Sequence, residues 1–295
     1  FGGYAIAPSV SPDGKTLVFQ YGRVAKNLHL AKIGSEQLEN LTNDELHEWV
    51  RFSPSGKQIA SIVQRHDFGK DLSIIELADE ISARKSKRFA LPDSNPESLG
   101  WLDEEHIAYL TYDIKTSQTK TVVVNTANGM PITRTKFDGA AEWLAVHPDG
   151  KKIAVVITDA DKKQKIILRN LETNADETIA VGGGYAALRW LADGSALSWS
   201  APNRSADPIN GGVWLWEKDN PVRVADDGFG PVWNKDKSAV YYSKLNGLWR
   251  KNQKEEPLHH WADNVVFFDV SGEQVIFIQA KEVVKAQIYS VELEK

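Results

Sequence analysis

The stretch Phe52-Ser53-Pro54-Ser55-Gly56-Lys57-Gln58-Ile59 decides the fold, because the chain repeats it. It returns as Val10-Ser11-Pro12-Asp13-Gly14-Lys15-Thr16-Leu17 and as Val146-His147-Pro148-Asp149-Gly150-Lys151-Lys152-Ile153. In each copy an apolar residue precedes a turn in which proline presets φ and glycine accepts positive φ at no steric cost. Weaker copies fill the gaps: Trp101-Leu102-Asp103-Glu104-Glu105, Trp190-Leu191-Ala192-Asp193-Gly194, Trp233-Asn234-Lys235-Asp236-Lys237 and Phe268-Asp269-Val270-Ser271-Gly272. Aligned turn positions fall at 14, 56, 105, 150, 194, 237 and 272, so the seven copies are spaced by 42, 49, 45, 44, 43 and 35 residues.

A period of roughly 40–50 residues with several short strands per unit is the signature of propeller blades, whereas helical repeats of that length need long 3.6-periodic stretches. Residues 77–87 are the best helical candidate and sit inside one repeat. Each unit reads as an inner strand ending in an apolar or aromatic residue (Phe52, Trp101, Trp190, Trp233, Phe268), the turn, and a β-rich second strand such as Ile153-Ala154-Val155-Val156. An alternating third strand follows, such as Leu72-Ser73-Ile74-Ile75, then a short polar fourth suited to an exposed edge. The expectation is all-β: one β-propeller domain over residues 1–295, with seven blades of mostly four antiparallel strands and six or eight as the alternatives. The last unit stops at Lys295 soon after its third strand. Either the final blade has three strands, or residues before Phe1 supply its outer strand.

Hydrophobic residues at 42% and charged residues at 25% fit a globular chain with a sizeable core. The net charge of −5 argues against a polyanion partner, so no nucleic acid is expected to bind this segment. Without cysteine there is no disulfide framework, thiolate nucleophile or Cys-ligated zinc. Phe1-Gly2-Gly3-Tyr4-Ala5 is neither a start methionine nor a signal sequence, and reads as a mature or excised fragment. No apolar run approaches the roughly 20 residues that span a bilayer, so any membrane anchor would lie outside these residues.

The pattern of an aromatic residue, Ser-Pro-Asp-Gly-Lys, one residue, an aliphatic, Ala or Val, and an aromatic resembles the TolB-type (PD40) propeller repeat across almost the whole chain. That resemblance implies the propeller fold and leaves function open. Such propellers occur in periplasmic TolB, in the non-catalytic propellers of prolyl-oligopeptidase-like proteases, and in extracytoplasmic sensor regions of membrane-anchored CadC-like winged-helix regulators. The opening from Tyr4 through Ser11-Pro12-Asp13-Gly14, with Leu41-Thr42 before a new blade, is most similar to the last group. The resemblance therefore implies a periplasmic or extracytoplasmic domain, tethered to the inner membrane by an upstream segment, with any DNA-binding domain also upstream. TolB itself carries a further N-terminal α/β domain, which is not visible here.

Catalytic and metal motifs fail on inspection. The histidines (His29, His47, His66, His106, His147, His259, His260) show no i, i+4 pair on a helix, so no metal site is expected. Asp159-Ala160-Asp161 begins like a calcium loop, but Lys163 replaces the next oxygen ligand. Gly182-Gly183-Gly184 lies between strands and has no helix N-terminus to cradle phosphate. Arg84-Lys85-Ser86-Lys87-Arg88 is the one basic cluster and reads as a solvated face, with an anion or headgroup contact as its alternative. No Gly-x-Ser-x-Gly elbow exists. No catalytic residue and no cofactor are expected; an enzymatic alternative would use Glu48 and Glu142 as channel carboxylates.

In a propeller, the loops from each outer strand to the next inner strand share one channel mouth with those joining second and third strands. Here these are residues 43–49, 93–98, 138–143, 182–185, 226–229 and 201–211. They place Trp49, Trp143, Tyr185 and Phe229 beside His47, Glu48, Glu142, Asp226 and Asp227 as an aromatic and acidic rim, and aromatic anchors often carry interface energy. The competing reading packs Trp49 and Trp143 between blades. The expected function is a non-enzymatic propeller that binds a peptide, protein or small molecule at this face, as a sensor. Its rivals are a TolB-like interaction protein, a peptidase's accessory propeller, and a propeller lyase or hydrolase.

Overall fold

A computed structural model of the chain describes residues 3–12, 15–43, 45–65, 67–78, 83–92, 96–159, 161–201, 212–217, 221–244, 247–258 and 264–292. Among these there are strands and turns and no α-helix. The chain opens with β1 (Gly3–Val10), β2 (Thr16–Lys32) and β3 (Leu38–Asn40). The first regular blade is β4 (His47–Phe52), β5 (Gln58–Gln64), β6 (Lys70–Glu76) and β7 (Lys85–Ala90); the second is β8 (Pro96–Trp101), β9 (His106–Asp113), β10 (Gln118–Asn125) and β11 (Pro131–Asp138). The third runs β12 (Ala140–Val146), β13 (Lys152–Thr158), β14 (Gln164–Asn170) and β15 (Asp176–Gly182), and the fourth β16 (Ala186–Trp190), β17 (Leu197–Ala201), β18 (Gly212–Trp216) and β19 (Pro221–Ala225). The fifth is β20 (Phe229–Trp233), β21 (Val240–Lys244), β22 (Gly247–Lys251) and β23 (Glu255–Pro257), followed by β24 (Val265–Ser271) and β25 (Gln274–Glu292).

The sixth blade joins both ends of the chain. β24 and β25 form its inner half, β2 pairs along β25 from Thr16↔Glu292 to Lys32↔Gln274, and β3 covers β2 from outside. The inner strands β4, β8, β12, β16, β20 and β24 each touch the next, and β24 touches β4, so the ring is closed. Six blades, within the stated alternatives, replace the expected seven, and the ring closes with N-terminal strands inside the chain. The first turn copy does form its hairpin, with the Ser11 N–H donating to the Thr16 carbonyl at 2.8 Å as Ser53 does to Gln58. Its first strand, β1, pairs among the described residues with β2 alone, at the edge of a ribbon that extends the closing sheet. Turn chemistry is local, whereas the role of a hairpin's first strand is set by pairing with the far end of the chain.

The residue pattern follows position in the blade. Second strands are buried on both faces, as Gln58–Gln64 and Lys152–Thr158 show, because a neighbouring blade covers each side; their β-branched runs suit that environment. Outer strands such as Lys85–Ala90 are exposed and charged, which blunts a free edge. Six apolar clusters lie between successive blades. One packs Ile62 and Leu72 against Leu99 and Tyr109, and the one that closes the ring packs Leu28 and Ile276 against Val50 and Ile59. Fully burying each such side chain is worth about 1.5–3 kcal/mol. Of the stretch 77–87, residues 79–82 lie outside the described residues, residue 83 belongs to a 3₁₀ turn and 85–87 are strand, so the described part holds no α-helix.

Candidate functional site

Every inner strand carries a β-bulge at the same point, seen as a register slip between Glu48 and Arg51, Glu97 and Leu99, Glu142 and Ala145, Ala186 and Arg189, Phe229 and Val232, and Val265 and Phe267. A bulge sets two residues against one on the partner strand and re-aims a side chain. In five of the six the bulged residue is left-handed: Trp49 (φ 54°), Ser98 (53°), Trp143 (57°), Ala187 (52°) and Gly230 (69°). For a bulky side chain such a conformation costs on the order of 1–3 kcal/mol, and surrounding structure must hold it there.

Packing in the channel holds it. The Trp49 ring meets Trp143 edge-on at 5.1 Å and Phe267 at 4.5 Å, and Trp143 meets Phe229 edge-on at 5.5 Å. Four aromatics from four blades thus form one cluster across the channel, within the separations at which aromatic pairs attract. Trp49 and Trp143 also back onto the inter-blade cores, as the packing reading of these tryptophans has it.

Two residues beyond the left-handed bulge residue the chemistry changes: Arg51, Gly100, Ala145, Arg189 and Val232 occupy that position, and with Asp269 of the sixth inner strand they line a central cavity of about 420 Å³. The same cavity is walled by Trp101, Trp190 and Trp233, and it extends to Pro54, Pro148, Ala192, Lys235 and Gly272, which are exposed; it therefore opens at the inner-hairpin turns. A void of about 20 Å³ separates Arg51 and Arg189 from the aromatic cluster.

Asp269 is fully engaged. One carboxylate oxygen accepts the Phe52 N–H at 2.9 Å, tying the sixth blade to the first; the other accepts the Val270 N–H at 2.9 Å and lies 3.4 Å from Arg189. Arg189 also donates to the Phe268 carbonyl at 3.2 Å. Arg51, 8% exposed, donates one hydrogen bond to the Val50 carbonyl at 2.7 Å and has no carboxylate partner among the described residues. Burial, and then the neighbouring Arg189, pushes its pKa down against the opposing charge of Asp269, yet a guanidinium does not lose its proton in a protein. The basin therefore holds two arginines and one carboxylate.

The expected rim residues divide. Trp49, Trp143 and Phe229 come together, joined by Phe267, which the sequence reading passed over. Glu48 is paired with Lys70 at 2.7 Å, and Asp227 with Lys244 at 2.9 Å, which also holds Glu255 at 3.2 Å, so most of the acidic rim is neutralised. Asp226 is 91% exposed beside Arg223, and Glu142 has no ion-pair partner among the described residues. Tyr185 sits apart, edge-on to Trp199 at 6.1 Å, and burial raises its pKa. His47 is wholly buried, bonded to Ser61 at 2.9 Å and to Glu45 at 2.5 Å, and burial lowers its pKa. Loop 201–211 falls largely outside the described residues, as do His66, His259 and His260. No cluster of metal-ligating side chains occurs among the described residues. Arg51, Arg189 and Asp269 were missed. Arg51 and Arg189 share one position of the repeat alignment, just before the turn aromatic, whereas Asp269 follows its aromatic, Phe268, and aligns with Ser53.

No family model matches the sequence, and no curated protein matches it. Solved structures do. A putative TolB from Agrobacterium tumefaciens aligns with TM-score 0.69 and 14% identity over 88% of this chain and 99% of its own. TolB from Acinetobacter baumannii aligns with TM-score 0.60 and 14% identity, over 90% of this chain and 65% of its own. The β-propeller domain of the Trilobed protease from Pyrococcus furiosus aligns with TM-score 0.55 and 15% identity, over 99% of this chain and 95% of its own. That domain is described as an open velcro; here β2 is hydrogen-bonded along β25. At such identities the likeness establishes a TolB-like β-propeller fold.

Proposed function

We propose that this TolB-like propeller is a non-catalytic binding domain that takes a small ligand into its central channel from the inner-hairpin face. The observation that carries the reading is the cavity of about 420 Å³, walled by three tryptophans and floored by charged groups, on a channel crossed at its other end by aromatic rings. Ligand sites are concave, mostly apolar, and carry a few placed polar groups. On this reading Trp49, Trp143 and Phe229 form a back wall and are not a contact rim. An extracytoplasmic location fits the TolB-type repeat, and the narrower role of sensory domain in a membrane-anchored regulator rests on the opening segment near Tyr4. A second reading, the accessory propeller of a peptidase, is favoured by the alignment of the Trilobed protease propeller over 99% of this chain.

The test is a thermal-shift screen of the chain against short peptides, sugars and organic acids, repeated with Ala192→Trp, which adds bulk at an exposed point of the mouth. Ligands that raise the parent's melting temperature and lose their effect in the folded variant support channel binding. Ligands indifferent to Ala192→Trp would move the site elsewhere. In the full-length sequence, an upstream winged helix and single membrane span support the sensor, and a downstream hydrolase domain supports the peptidase.

A further inference from the structure

The basin of the channel has a charge that the protein does not answer. Asp269 is committed to two backbone N–H groups and to Arg189 and reaches Arg51 through its charge alone, so among the described residues the Arg51 guanidinium hydrogen-bonds one carbonyl and no carboxylate. A buried cation is ordinarily paired, because leaving it unpaired forfeits several kcal/mol of solvation. The indole N–H groups of Trp190 and Trp233, both on the cavity wall, are likewise buried without an acceptor among the described residues. A native structure with several unsatisfied donors beside one cavity calls for a specific cause. The fourth ionisable group on the cavity wall, Lys235, is exposed at the mouth and adds positive charge there.

We propose that Arg51, supported by Arg189, is the recognition element for a carboxylate carried on a flat apolar small molecule. The charge count selects a monoanion: the Arg189–Asp269 pair is near neutral, and Arg51 contributes one unanswered positive charge. The guanidinium fork matches the two oxygens of a carboxylate. Trp101, Trp190 and Trp233 supply the faces against which a planar body packs. The volume suits a molecule of drug-like size or smaller. Lys235 draws the anion to the mouth, a long-range effect that weakens as salt screens it.

This inference rests on the channel-binding reading, and its test separates the two. Tryptophan fluorescence of the chain would be titrated at low ionic strength with benzoate, the neutral isostere benzamide, and inorganic phosphate, for the parent, Arg51→Met and Lys235→Ala. The expected result is saturable benzoate binding at least tenfold tighter than that of benzamide or phosphate. Arg51→Met should lose it by at least tenfold, and Lys235→Ala should weaken it several-fold with a shallower salt dependence. Equal binding of benzoate and benzamide, or benzoate binding indifferent to Arg51→Met, overturns the proposal; tighter phosphate binding overturns its carboxylate class. Should Arg51→Met fail to fold, Lys235→Ala and the benzamide comparison on the parent decide. A neutral ligand that is lost in Ala192→Trp but unaffected by Arg51→Met overturns the carboxylate site and leaves channel binding standing.

Discussion

The two levels of the channel are built from the same six strands, two residues apart, and they meet opposite physical demands. At the bulge level Trp49, Trp143, Phe229 and Phe267 satisfy one another, and the cost of left-handed backbone at the two tryptophans is offset by apolar burial. At the next level Arg51, Arg189 and Asp269 leave a cation short of partners in a cavity open to solvent. Packing is non-directional and can be completed by whichever rings converge, whereas a buried charge needs a counter-group at a defined distance. The aromatic level is therefore closed by its own packing, and the charged level is where the proposed ligand would bind.

The comparison can be broken hardest at Asp269. Asp269→Ala removes the acceptor that ties Phe52 to the sixth blade and leaves both arginines unpaired; breaking a buried pair costs about 3–5 kcal/mol, read as a lower urea midpoint. A loss under about 1 kcal/mol would show that the basin is not the electrostatic lock described. Trp143→Ala should cost about 3 kcal/mol, the low end for an aromatic truncation, because the ring is only half-buried. If instead the variant is as stable as the parent, the aromatic level is not closed by its own packing.

A buried charge that is fully answered provides the contrast. Burial alone would raise the pKa of Glu45, but hydrogen bonds from His47 and Arg88 and the Arg88 charge hold it at about 2. Its folded value lies below the unfolded value near 4.5, so its stabilisation is complete above that pH and is lost as pH falls from about 4.5 toward 2. His47, kept neutral by burial, adds a decline that begins earlier, as the unfolded chain protonates near pH 6.5. Glu45→Gln should therefore lower stability at pH 7 by roughly 2 kcal/mol, with the gap to the parent closing at pH 3. A gap that does not change with pH would rule out this network.

Arg51→Met should do the reverse of these losses. In anion-free buffer it replaces an unanswered buried charge with an apolar side chain of similar length and should raise the melting temperature, corresponding to about 1–2 kcal/mol. A fall would mean that Arg51 has a partner in solution. The smallest effect is expected at the rim: Asp226→Ala, at a side chain 91% exposed, should stay within about 0.5 kcal/mol and leave channel binding unchanged. Lost binding in that variant would return the site to the acidic face.

Much of this was legible before the structure. The turn copies at Ser53, His147, Leu191 and Asn234 all close the same hairpin, as their spacing implies. The aromatic convergence of Trp49, Trp143 and Phe229 followed from aligning loops, although its closure by packing did not. The pairing of Glu48 with Lys70 and of Asp227 with Lys244 was not legible, because each lysine lies on another strand of the blade. The basin went unread because Arg51, Arg189 and Asp269 are isolated in sequence and look like ordinary residues beside a turn.

The sequence by itself determined what depends on neighbouring residues: all-β character, the position of each hairpin, and the polar outer edges, all set by local turn chemistry and strand periodicity. The tertiary structure alone decided that seven turn copies make six blades, because only long-range pairing of β2 with β25 turns the first hairpin into part of the closing sheet. It also decided the composition of the channel, since a ring gathers one residue from each of six strands into a volume no wider than a small molecule. Charges that lie far apart along the chain become a single electrostatic site there.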